Sequence, residues 1–287
     1  MKMTLLKMGR ARWTAGAAIA LLALGVLGSA PALAGIADTK HNLGSSGTGA
    51  NKSGVTAEIC VFCHTPHGAD TSAAVPLWNR ALVTPGAYTT YNSLGTSSLD
   101  GAIAPVGSVS LACLSCHDGA QAMNVMINQP GSNGYVAAGS VMTGAWTGAA
   151  TLNVANSITS MTKDLQNDHP IGIQYGGGYG TGTAAYPKND VVDGGFRDKD
   201  FRGAQYSLLN TNDVWWVDTG LTGIGTREKT DMQLYTRTAT GTSPVLGATG
   251  NQALVECASC HDPHSANATF LRIDNTGSAV CLACHIK

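Results

Sequence analysis

Residues 257–264 read Cys257-Ala258-Ser259-Cys260-His261-Asp262-Pro263-His264, and residues 281–285 read Cys281-Leu282-Ala283-Cys284-His285. Toward the N-terminus the same Cys-x-x-Cys-His spacing returns as Cys60-Val61-Phe62-Cys63-His64 and Cys113-Leu114-Ser115-Cys116-His117. This spacing is the signature of c-type haem attachment. Two thiols add across the vinyl groups of one porphyrin, and the adjacent imidazole binds the iron from one face. Zinc sites also use paired Cys-x-x-Cys units, and an exported chain can pair its cysteines as disulfides. Neither suits the count, because all 8 cysteines fall inside the four motifs, each second cysteine is followed at once by His, and no thiol is left over. The sequence therefore predicts four covalently bound haem c groups, with His64, His117, His261 and His285 as proximal iron ligands.

The chain has 8 histidines, and the four outside the motifs are His41, His67, His169 and His264. Four irons need four sixth ligands if every iron is six-coordinate, and imidazole suits iron. The count predicts these four as the distal ligands. Methionine is the alternative ligand, but Met123, Met126, Met142, Met161 and Met232 are read first as packing residues. His67 and His264 each follow a motif histidine by three residues. Two imidazoles on one iron set their Cα atoms about 12 Å apart, from metal–nitrogen bonds of about 2 Å and two side-chain lengths. Three extended residues reach at most about 11 Å, and the route must also pass the porphyrin edge. Each of these histidines is thus expected on a neighbouring haem, His67 on that of Cys113/Cys116 and His264 on that of Cys281/Cys284. His41 and His169 remain for the haems of Cys60/Cys63 and Cys257/Cys260, in either order. His41 has two options, folding back onto its own chain or reaching a haem of the next subunit.

The first 34 residues read as a secretory signal: Lys2, Lys7, Arg10 and Arg12 form a basic front, Ala17 to Leu27 is apolar, and Ala32-Leu33-Ala34 is a small-residue cleavage site. No other stretch is apolar enough to cross a bilayer. Removing the signal leaves 13 basic against 18 acidic residues, a net charge of −5, which excludes a basic nucleic-acid-binding surface. Charged residues are 12% of the chain and aromatics 6%, while Gly reaches 36 residues. With few large side chains to build a core, buried porphyrin supplies the apolar area instead. The expected fold is a multihaem cytochrome, mostly coil, with short helices around the motifs and a few short strands, organised on a stack of four haems. The expected regions are a signal peptide (1–34), an N-terminal haem pair (35–130), a Gly/Thr-rich middle carrying His169 (131–250) and a C-terminal haem pair (251–287). A helix is expected over Leu111 to Ile127, and loops, turns and a hairpin in the middle segment.

Cys60 to His67 with its His-Thr-Pro-His, Pro76-Leu77-Trp78-Asn79-Arg80, Asn167-Asp168-His169-Pro170-Ile171 and Lys40-His41-Asn42-Leu43 resemble the OmcE-type tetrahaem cytochromes of the outer cell surface. The resemblance spans both ends of the mature chain and one point in its middle. It implies polymerisation into extracellular filaments with a continuous haem chain. It also implies that an N-terminal histidine, here His41 by position, ligates a haem of the neighbouring subunit.

These observations converge on electron transfer rather than catalysis. An enzyme needs one iron with an open face, and the histidine count closes all of them. Expected partners are further copies of the chain, redox proteins and extracellular electron acceptors, with no nucleic acid. The expected location is outside the cell, with a discrete periplasmic carrier as the alternative. Arg80, Arg197, Arg202 and Arg272 are candidates to meet haem propionates.

Overall fold

A computed structural model describes residues 35–82, 87–153, 157–179, 193–220, 225–239 and 250–286. Residues 36–287 belong to one compact unit; the expected signal peptide lies outside the described residues.

Helices are few and short. Helix α1 covers Ser108–His117, α2 Cys257–Cys260 and α3 Ala279–Cys284, and a 3-10 turn spans Cys60–Phe62. Each thus coincides with one Cys-x-x-Cys-His motif. The expected long helix stops at His117. Asp118 accepts the amides of Ala120 and Gln121 on one oxygen at 2.9 and 3.0 Å, and Gly119 turns the chain at φ +72°. Side chain and glycine together end the helical ladder. The chain continues as a strand, Val125–Asn128, instead.

Among the described residues nine strands make three antiparallel sheets. Strand β1 (Lys52–Ser53) pairs β4 (Trp146–Thr147), and β2 (Val125–Asn128) pairs β3 (Tyr135–Val141). The third sheet runs β5-β9-β8-β7-β6, from Ile173–Gln174 through Gly250–Val255, Met232–Ala239 and Asn212–Val217 to Gln205–Leu209. The middle segment therefore holds a five-stranded sheet rather than a lone hairpin. Trp215, Trp216 and Val217 are all buried, so β7 is covered on both faces and its sequence lacks the alternation of a one-sided strand. One face joins Tyr175, Phe196, Trp215, Leu234 and Val255 to Val280 and Ala283 of α3. The sheet is thereby the floor on which the last motif rests. Met123, Met126 and Met142 pack with Leu43 and Phe62 beneath the first two motifs, and Met232 is fully buried in the sheet cluster. These four act as packing side chains. Among the described residues no helix is long and apolar enough to cross a membrane.

Candidate haem sites

Three motif histidines outside α1 close a turn onto their first cysteine. The amides of His64, His261 and His285 donate to the carbonyls of Cys60, Cys257 and Cys281 at 2.8, 3.1 and 2.9 Å. The fourth, His117, ends the regular helix α1. Residues three and four apart on one turn share a face, so the turn gathers two thiols and an imidazole on one side.

A side chain clamps each motif from behind. Asn79 Nδ2 donates to Val61 O at 2.6 Å, Arg80 Nη2 to Ser115 O at 2.8 Å, Arg272 Nη2 to Ala258 O at 2.9 Å and Arg202 Nε to Leu282 O at 2.8 Å. Every acceptor is one of the two residues between paired cysteines. These donors neutralise carbonyls left free at the end of a short helical turn. Three of the four arginines expected at propionates thus serve the motif backbone, and the fourth, Arg197, donates to Asp100 O at 3.1 Å. Asn79 entered the sequence reading only as part of the resemblance, with no role assigned to it. Its signal was a polar pair, Asn79-Arg80, inside the otherwise apolar run Pro76–Leu82.

The imidazoles are oriented as metal ligands are. Nδ1 of His64, His117 and His261 lies 2.8 Å from the carbonyl oxygens of Pro76, Thr159 and Thr269 respectively. A carbonyl only accepts, so Nδ1 carries the proton and Nε2 presents its lone pair. His169 meets Pro170 O at 3.0 Å, His264 meets Asp262 Oδ1 at 3.1 Å and His41 meets Pro263 O at 3.4 Å. Burial lowers the pKa of His41, and the facing His117 adds to the effect. Burial likewise lowers that of His117. The hydrogen bond that His264 donates to Asp262 instead raises its own pKa.

Two ring pairs stand at the spacing of ligands on one iron. The centroids of His64 and His264 are 6.4 Å apart with planes 11° from parallel, and those of His41 and His117 are 6.1 Å apart at 78°. Two imidazoles sharing a metal place their centres about 6.3 Å apart, from bonds of about 2 Å and about 1.1 Å between each nitrogen and its ring centre. The residues thus fit haem at these two sites. The sequence expectation set His264 with the haem of Cys281/Cys284 and His67 with that of Cys113/Cys116; here the ring of His264 lies beside that of His64, and the ring of His41 beside that of His117. His41 folds back onto its own chain, and its ring stacks on Phe270 at 4.0 Å. A cavity of about 340 Å³ brings Cys281, Cys284, His285 and His169 together with Cys260. His67 is exposed, and its carbonyl accepts from Asn128 Nδ2 at 2.6 Å. His67 and His261 belong to neither ring pair nor the cavity.

Burial pushes the thiols of Cys63 and Cys284 up to about 12 and that of Cys260 up to about 11. Among the described residues no three His, Cys, Asp or Glu side chains gather into a metal-holding group. The first two sites share one apolar cluster containing Cys63 and Cys116. Sites two and three touch directly, since the Cys113 and Cys257 side chains hydrogen-bond. The Ser110 hydroxyl donates to Glu256 Oε2 at 2.5 Å and accepts the Cys257 amide at 3.0 Å.

The doubled CXXCH motif family matches residues 251–287. No curated protein matches the chain. The family match supports covalently bound haem c and a multihaem c-type cytochrome, a haem-binding electron-transfer protein.

Proposed function

We propose that the chain is an exported tetrahaem cytochrome that conducts electrons from haem to haem and polymerises into an extracellular filament. One observation carries the redox reading: imidazoles facing each other at 6.1 and 6.4 Å. Such pairs close both axial positions, which favours outer-sphere electron transfer and leaves no face for a substrate. Haem supplies the one-electron chemistry, and this chain supplies attachment, ligand orientation and spacing. In this reading His264 and His41 complete the first two sites, and His169 completes the site of His285. His261 is left to find its partner in His67 of a second copy.

Two features support self-association. His67 is exposed, and beside it the ring of Tyr135 lies over Gly68, where an added Cβ would come within 2.5 Å of Cε2. Tyr135 opens β3, which pairs with β2 alone among the described residues and exposes Tyr135, Val136 and Val141. An open, apolar strand edge is a template for another chain.

The test is a low-temperature electron paramagnetic resonance spectrum of the oxidised protein. Low-spin bis-imidazole centres alone are expected in filaments, and one high-spin iron in isolated monomers. Stoichiometric carbon monoxide binding by assembled protein would overturn the reading in favour of a multihaem reductase. A stable monomer with every iron low-spin would leave a periplasmic carrier.

A further inference from the structure

We infer that Arg80 is a positioning residue that clasps the first two haem sites together and, as a buried cation, raises their reduction potentials. The inference rests on the haem-binding reading above. Arg80 is 2% exposed. Nε donates to Ser115 Oγ at 3.2 Å, Nη1 to Met123 O and Val125 O at 2.9 Å each, and Nη2 to Ser115 O at 2.8 Å and Ala122 O at 2.7 Å. All five donors of a guanidinium are therefore occupied, none by a carboxylate, and none is left for a propionate. The acid within the segment it grips, Asp118, is engaged instead by the amides of Ala120 and Gln121 at 2.9 and 3.0 Å. Its neighbour Asn79 is fully buried and holds Val61 of the first motif at 2.6 Å. One dipeptide thus grips both motifs.

Of the C-terminal clamps, Arg272 likewise meets only carbonyls, those of Ala258 and Lys229. Arg202 has a side chain 44% exposed and pairs with Asp193 at 3.8 Å, so water and a carboxylate offset its charge. An oxidised redox centre carries one more positive charge than the reduced one. A fixed cation nearby therefore favours the gain of an electron, and low dielectric strengthens the effect.

Potentiometric titration of the holoprotein tests this, with haem content measured in parallel. In Arg80→Gln two of the four midpoints should fall while two stay in place. Arg80→Lys keeps the charge, so its midpoints should match the wild type while its melting temperature drops. Where Arg80→Gln fails to mature, Ala122→Asp decides. It sets a carboxylate beside the intact guanidinium and should lower the same two midpoints. Midpoints unmoved in Ala122→Asp, or four shifting uniformly, would overturn the inference. A wild-type haem content below four would instead overturn the tetrahaem reading on which it rests.

Discussion

Glu256 is the buried acid whose ionisation the fold opposes most visibly. Burial raises its carboxyl from 4.5 to about 7, against the opposing pull of the Ser110 hydroxyl and of Arg237, whose guanidinium stands 3.6 Å from Oε1. The folded chain therefore holds a proton that the unfolded chain releases. The resulting stabilisation is fully present below pH 4.5 and is lost as the pH rises to about 7. The shift corresponds to a change on the order of 3 kcal/mol. Melting temperature should fall across that window in the wild type and stay flatter in Glu256→Gln, as scanning calorimetry at stepped pH would show. His67→Ala is the second residue-scale prediction. It should keep every covalent haem and fail to form filaments by electron microscopy. His41→Ala should instead open the iron of Cys113/Cys116 to carbon monoxide even in monomers. At this scale the sequence was legible wherever chemistry is local. The motifs follow from spacing, and a count of histidines gives an expected ligand set. Which rings come together was not legible, because His41 lies beside His117, and His64 beside His264, across long stretches of chain that only the tertiary fold closes.

At the scale of elements, short helices could be read from the motifs they carry. The sheets could not, because strands buried on both faces lose their period, and Val214-Trp215-Trp216-Val217 reads as a plain apolar run. The β6–β7 hairpin has two loop residues, Asn210 and Thr211, at φ +47° and +67°. Both central residues at positive φ mark the mirror-image turn that suits strand twist, where Asn-Gly is preferred. A β-branched residue is strained there. Thr211→Gly should stabilise the protein by about 1 kcal/mol, with the gain limited by the extra freedom glycine has when unfolded. Denaturant titration with an unchanged m-value would show it. Loss of stability would mean that the turn in solution is of another type.

For the whole molecule, the motif turns are attached to clamps and carbonyl tethers more than to a deep protein core. Cys60 and Cys281 are exposed, and the other six motif cysteines are partly so, which leaves apolar faces for the porphyrins to cover. Protein made without haem attachment should therefore show no cooperative thermal transition, and circular dichroism of such material would check this. A sharp melt in colourless protein would show that the polypeptide core suffices. The carbonyl tethers on Nδ1 of His64, His117 and His261 also bear on speed. A ring pinned by its far nitrogen cannot swivel when the valence of the metal it serves changes. Little nuclear rearrangement then accompanies each arrival and departure of charge, which keeps the barrier to self-exchange low.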